Sequence, residues 1–288
     1  MYLQHFGMSR MPFGGRPDGA PIFMSPPHAE ALATLVYGMV SAKPLIMLTG
    51  DVGLGKSTVL GAAIAKVKNP KLRILTLDHP LLQPRDLLRM LGQTLGMSKA
   101  TQLSLPDVRE LHNEMLVAAR DGMRLALIID EAQLLPSVTL EFVRLLSNLE
   151  ATARGTFCIV IVGQPELWAQ LQRPQWRHLK QRIALRAELK PLSRAASADY
   201  LRFCLRIADT DVNYVFTSGA LRTLVRRGAG VPRRLNFIAD NALLYAFGEG
   251  QRPVRARHIR AAANMLDGSD GHLYRRAVRR LSLLIGRA

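Results

Sequence analysis

With 288 residues, 48% apolar and 21% charged, the chain can bury a core of ordinary size, and its composition excludes a disordered or fibrous protein. No run reaches the roughly 18 apolar residues of a membrane-spanning helix, and the start, MYLQHFGMSRMPFGG, lacks the long apolar core of a secretory signal. The formal net charge is +17, and residues 173–288 carry most of the excess, with 23 Lys and Arg against 8 Asp and Glu, so an acidic partner such as duplex DNA, an anionic membrane surface or an acidic protein face is in view.

The first 27 residues are rich in Gly and Pro and read as an extended, turn-rich lead-in. Residues 28–42, HAEALATLVYGMVSA, place Ala31, Leu32, Leu35, Val36 and Met39 at helical spacing. PLIMLTG, residues 44–50, is a short apolar run that ends in glycine and predicts a buried strand, with a helix over STVLGAAIAKVKN behind it. LRILTLD predicts a second strand, followed by helices at PRDLLRMLGQTLGM and PDVRELHNEMLVAARDG. LALIID, residues 125–130, predicts a third strand, and LPSVTLEFVRLLSNLEA a helix. FCIVIVG, residues 157–163, predicts a fourth, and RIALRAEL, residues 182–189, suits a fifth. Short buried strands alternating with helices indicate a parallel sheet covered on both faces. After Pro191 the strand pattern stops, and four helical stretches predict a second, all-helical domain. Cys158 and Cys204 are far apart in sequence, form no CxxC pair, and read as structural thiols in a reducing compartment.

LTGDVGLGKST, residues 48–58, fits G-x-x-x-x-G-K-[ST] at every fixed position, between a predicted strand and a predicted helix. Gly50, Gly53 and Gly55 let the backbone turn tightly, and with Asp51, Val52 and Leu54 they form a loop whose N–H groups face phosphate oxygens. The helix start adds positive potential at that point. Lys56 is expected to neutralise the β- and γ-phosphates of ATP, Ser57 to offer its hydroxyl to Mg²⁺, and Thr58 to complete the binding stretch. Asp130, at the end of a fully apolar strand, is expected to hold Mg²⁺ through water, and Glu131 to orient the attacking water. Positioning and charge stabilisation are most of what phosphoryl transfer asks of a protein.

With these residues in place, the chain resembles the AAA+ ATPases of the ExeA/GspA and MshM type, which serve bacterial secretion and pilus assembly. The likeness rests on MYLQHFGM, SPPHAEAL, LTGDVGLGKST, IIDEAQLL, IVIVGQPEL, LKQRIALRAELKPL and GVPRRLNFIADNALLYA. It implies an α/β P-loop NTPase core over residues 28–190, a small helical lid over 191–266 and a basic tail over 267–288. It further implies that Gln164 is a sensor at the γ-phosphate and that Arg233 is a second sensor presented by the turn at Gly230 and Pro232. Arg182 would be an arginine finger acting on a neighbouring subunit, with Arg177 and Arg186 as competitors. The SPPHAEAL segment would pack against the adenine; His28 itself reads as a surface histidine at a helix start.

Residues 272–286, HLYRRAVRRLSLLIG, form a basic amphipathic pattern suited to an anionic membrane surface, duplex phosphates or a protein groove. The expected protein is an ATP hydrolase that self-associates into a ring or filament and energises assembly of envelope secretion or pilus proteins. Its expected place is the cytoplasm, with peripheral contact at the inner membrane. The competing reading is a DNA-binding AAA+ regulator similar to the TnsC/TniB transposition helpers.

Overall fold

The computed structural model describes residues 2–14, 21–77, 83–104, 107–149 and 155–268, and the amphipathic pattern of residues 272–286 lies outside them. The chain forms two compact units: one spans Pro26–Lys190, and the other joins the first 25 residues to everything from Pro191 onward.

In the helical unit, α1 is a single turn, Tyr2–His5, inside the lead-in expected to be extended. The α/β unit opens with α2 (Pro26–Val40) and β1 (Leu45–Gly50). It continues through α3 (Lys56–Lys66), β2 (Leu72–Leu77), α4 (Pro84–Leu95), α5 (Val108–Arg120), β3 (Arg124–Ile129), α6 (Ser137–Leu149) and β4 (Phe157–Gly163). Two short helices follow, α7 (Pro165–Leu171) and α8 (Arg177–Arg182), before β5 (Ile183–Leu189). The boundaries follow local chemistry. Pro84 and Pro165 stand in the first turns of α4 and α7, where a missing N–H costs nothing, and Gly96 closes α4 at φ +85°.

The sheet has five strands, all parallel, in the order β2-β3-β4-β1-β5. β1 and β4 are buried along their whole length, which explains their unbroken apolar sequences. Edge strand β5 is exposed at every other position through most of its length. Successive residues of a strand face opposite sides. Leu45 and Met47 join Leu127, Ile129, Ile159, Ile161, Leu140 and Val143 in one core cluster. Ile46, Leu48 and Val160 are as deeply buried on the opposite side of the sheet.

The helical unit holds α9 (Arg194–Ile207), α10 (Val212–Val215), α11 (Ser218–Gly228), α12 (Pro232–Gly248) and α13 (Ala256–Leu266). Ser193 and Thr217 cap α9 and α11 by accepting the Ala196 and Ala220 N–H groups. Leu201, Leu205, Phe216, Leu235, Ile238, Leu243 and Ile259 make its core, and Phe6, Met8 and Phe13 of the lead-in belong to the same cluster. Phe6 is fully buried, the Tyr2 hydroxyl donates to Asp240 at 2.9 Å, and the Arg252 guanidinium sits 4.3 Å from the Tyr214 ring. Cys158 and Cys204 are both buried and not disulfide-bonded, one in each unit, and burial pushes the Cys204 thiol up to about 11. Among the described residues no helix is long and apolar enough to cross a membrane.

Ala229 and Gly230 are both left-handed, at φ +51° and +76°, and turn the chain into α12. A Cβ at Gly230 would lie 2.3 Å from the Leu192 carbonyl oxygen, and the Gly230 carbonyl accepts the Leu192 N–H at 2.8 Å. Gly230→Ala is therefore expected to destabilise the helical unit by about 3 kcal/mol. Gly219→Ala meets nothing within 4 Å in the same unit and is expected to be neutral or stabilising. Denaturant unfolding followed by circular dichroism compares the two; equal midpoints would remove the steric argument.

Candidate nucleotide site

Strand order assembles the site. β4 lies between β1 and β3, with Thr49 opposite Gly163 and Ile129 opposite Ile161. The residues at or just past the carboxyl ends of these three strands, Gly50, Asp130 and Gln164, therefore share one edge of the sheet. In parallel α/β sheets that edge is where ligands bind.

The loop after β1 is shaped by glycine. Gly53 and Gly55 take φ +81° and +98°, which L side chains rarely adopt. A Cβ at Gly50 would meet the Leu189 carbonyl oxygen at 2.9 Å, so β5 can pass close only because Gly50 has none. Leu54 is 1% exposed and anchors the loop, while Asp51, Val52, Ser57 and Thr58 face outward. Lys56 is buried at the first position of α3, and its ammonium donates to the Gly50 and Asp51 carbonyls at 2.8 and 3.2 Å. A buried cation needs such partners. They hold the Nζ against the loop, at the end of a helix whose free N–H groups favour anions.

His28 departs from the expected surface histidine. It is 5% exposed, and its Nε2 lies 2.8 Å from the Leu54 carbonyl oxygen and close behind Gly55. The first turn of α2 thus supports the glycine loop from beneath.

The acidic strand end meets this loop. The Ser57 hydroxyl donates to Asp130 Oδ2 at 3.2 Å, although the two residues are 73 positions apart. Asp130 Oδ1 accepts the Glu131 N–H at 2.8 Å. Glu131 holds a left-handed backbone, φ +51°, which is strained for a residue with a side chain. Its carboxylate accepts from the Gln133 amide at 2.6 Å and from the Gln164 amide at 3.5 Å. Gln133 Oε1 in turn accepts the Gln164 N–H at 3.0 Å. A Cβ at Gly163 would lie 2.7 Å from that oxygen, so the missing side chain is what lets Gln133 in. Gln133 thereby ties Glu131 to the end of β4, a role its place in a short 3-10 turn did not signal.

The arginines fall into two groups. Arg186 lies 3.9 Å over the Trp168 ring and pairs with Glu188 at 3.2 Å, so its guanidinium is engaged within its own chain. Arg177 and Arg182 open and close α8, Arg177 exposed and Arg182 half-buried. In the helical unit Arg233 is exposed in the first turn of α12, while Arg234 turns back to the Arg227 carbonyl and Asp267 at 2.8 Å each.

A glycine loop opening a helix, with a carboxylate from a neighbouring strand end against its serine, defines a P-loop ATPase of the AAA+ class. The family model described as AAA domain matches residues 39–171. General secretion pathway protein A of Aeromonas hydrophila is 38% identical over 270 residues, covering 93% of this chain and 49% of that protein. The chain belongs to the AAA+ ATPases of the GspA type, and it spans about half the length of the curated relative it matches. Among solved structures, Aeropyrum pernix ORC2 superposes with a TM-score of 0.63 at 14% identity, over 88% of this chain and 71% of that one. Cdc6p of Pyrobaculum aerophilum gives 0.63 at 15%, over 84% and 67%. A Walker-type ATPase of Pyrococcus abyssi gives 0.57 at 19%, over 96% and 77%. At these identities the likeness is one of fold.

Because His28 buttresses the loop backbone, His28→Ala is expected to weaken nucleotide affinity about tenfold, the order of one lost buried hydrogen bond. Titration with a fluorescent ATP analogue checks this, and His28→Asn, which can still donate, is expected to recover part of the loss.

Proposed function

We propose that the chain binds ATP with Mg²⁺ and hydrolyses it, using the turnover to switch its own self-association and so drive assembly of an envelope secretion or pilus system. The observation that carries the chemical part is the contact of Ser57 with Asp130 beside the buried Lys56. Among the described residues no three His, Cys, Asp or Glu side chains converge, so a divalent ion has no all-protein cage here. One hydroxyl and one carboxylate instead suit an ion held mainly by phosphate and water, as Mg²⁺ usually is. When bound, Mg²⁺ supplies charge neutralisation on the triphosphate.

The chain's residues do the rest. N–H groups of residues 50–58 cradle the phosphates, and Lys56 moves from the loop carbonyls to the β- and γ-phosphate oxygens. Glu131 orients the water that attacks the γ-phosphorus. Gln133 fixes its carboxylate, and Gln164 sits beside it, placed to sense the γ-phosphate. Arg182 is the favoured finger toward a neighbouring protomer, because Arg186 is already stacked and paired. Arg233 is the lid's sensor candidate, supported by its exposure at a helix start and by the diversion of its neighbour Arg234. The role in secretion rests on the likeness to general secretion pathway protein A, and the ring or filament on the AAA+ class.

Three substitutions test the chemistry. Glu131→Gln is expected to keep ATP binding and lower turnover at least a hundredfold, whereas Lys56→Ala loses both. Gln133→Ala is expected to lower kcat about tenfold, roughly 1.4 kcal/mol of barrier, with ATP affinity unchanged. Phosphate release and nucleotide titration measure these, and wild-type turnover in Glu131→Gln removes that residue from the mechanism.

A further inference from the structure

A second concave site lies wholly within the helical unit, formed by α9, α11 and α13. It encloses about 780 Å³. Five arginines line it, Arg194, Arg202, Arg222, Arg226 and Arg260, and no carboxylate does among the described residues. All five are exposed. Only Arg202 has an ion-pair partner among the described residues, Asp199 at 2.7 Å, and both members of that pair are exposed, so the pair is screened and weak.

The pattern is built by helical spacing. Arg194, Ala198 and Arg202 fall on one stripe of α9, Arg222 and Arg226 on one stripe of α11, and Ala256 and Arg260 on one stripe of α13. The stripes carry cations at the rim and small residues such as Ala195, Ala198, Gly219 and Ala256 elsewhere in the groove. Arginines four residues apart on a helix stand about 6 Å apart along its axis. Several cations spaced this way address a run of charges better than a single ion.

We propose that this groove binds the phosphate backbone of duplex nucleic acid, without reading its sequence. Four considerations select that occupant. Arginine dominates over lysine, and its planar fork matches phosphate oxygens bidentately. Among the described residues no aromatic side chain lines the groove, so they offer no platform for unpaired bases, which disfavours single strands. A flat bilayer cannot follow a concave surface, whereas a ridge of phosphates can enter it. Finally, residues 173–288 carry most of the chain's excess positive charge, so the long-range field also favours an extended polyanion. The site shares no residue with the nucleotide loop and does not rest on the ATPase reading.

The test uses the full chain and a short labelled duplex of mixed sequence, with anisotropy measured across a salt series. The wild type is expected to bind with an affinity that falls steeply as salt rises, and unlabelled duplexes of different sequence are expected to compete equally. Arg222→Ala/Arg226→Ala/Arg260→Ala is expected to lose at least tenfold in affinity and to flatten the log–log salt slope by about 2 to 3. The corresponding triple Lys variant is expected to keep most of the binding. ATP turnover without duplex and the thermal midpoint are expected to stay at wild-type values, which separates failure of this site from failure of the ATPase. Three results would overturn the proposal: no duplex binding by the wild type, an alanine variant with unchanged affinity and slope, or arginine-dependent binding of anionic vesicles or an acidic peptide in place of duplex.

Discussion

The insertion of β4 between β1 and β3 is the constraint on which the nucleotide site depends. If β1 and β3 paired directly, Asp130 would stand next to Gly50 with no strand between them. With β4 interposed, a third strand end delivers Gln164 between the lysine side and the acidic side. Glu131 then has two amides to meet instead of open solvent. Register is as important as order, because Ile161 must stand level with Ile129 for Gln133, just past β3, to reach the backbone of Gln164, just past β4.

The site divides into rigid and strained parts. The sheet end is rigid, since the strands beneath it are buried from end to end. Strain falls on Glu131, a side-chain-bearing residue held at a left-handed φ just past β3, whereas Gly53 and Gly55 take such backbones at no steric cost. A side-chain-bearing residue held there needs its surroundings to over-determine it. The Asp130 carboxylate on the Glu131 N–H and the Gln133 amide on the Glu131 carboxylate supply that restraint. The acidic pair is therefore one mechanical unit, and Gln133 belongs to it.

Much of this was legible in the sequence. Runs such as LIMLTG and FCIVIVG have the composition of strands buried on both faces, and the structure places them so. The glycine-lysine spacing located the loop, and the apolar run ending in Asp130 located its partner. Several features left no such trace. His28 looked like a surface residue because histidine at a helix start ordinarily is one; only tertiary packing puts it under Leu54. Gln133 lies in a turn of three residues, too short for any periodicity. α1, α7, α8 and α10 span four to seven residues, less than two helical turns, so pattern cannot announce them. The lead-in was misleading in a different way. Its Gly and Pro content suggested extended chain, yet Phe6 is fully buried against residues roughly two hundred positions later.

That closure has a consequence for synthesis. Chains emerge from the ribosome amino end first, at about 5–20 residues per second. Tyr2 meets Asp240 across 238 positions, so its partner is translated on the order of ten to fifty seconds later. Throughout that interval Phe6 and Phe13 have no helical core to enter, while the entire sheet unit is made and can fold. The newborn chain therefore carries an apolar segment that needs shelter until the helices after Pro191 have been made, and the helical unit becomes native after the sheet unit.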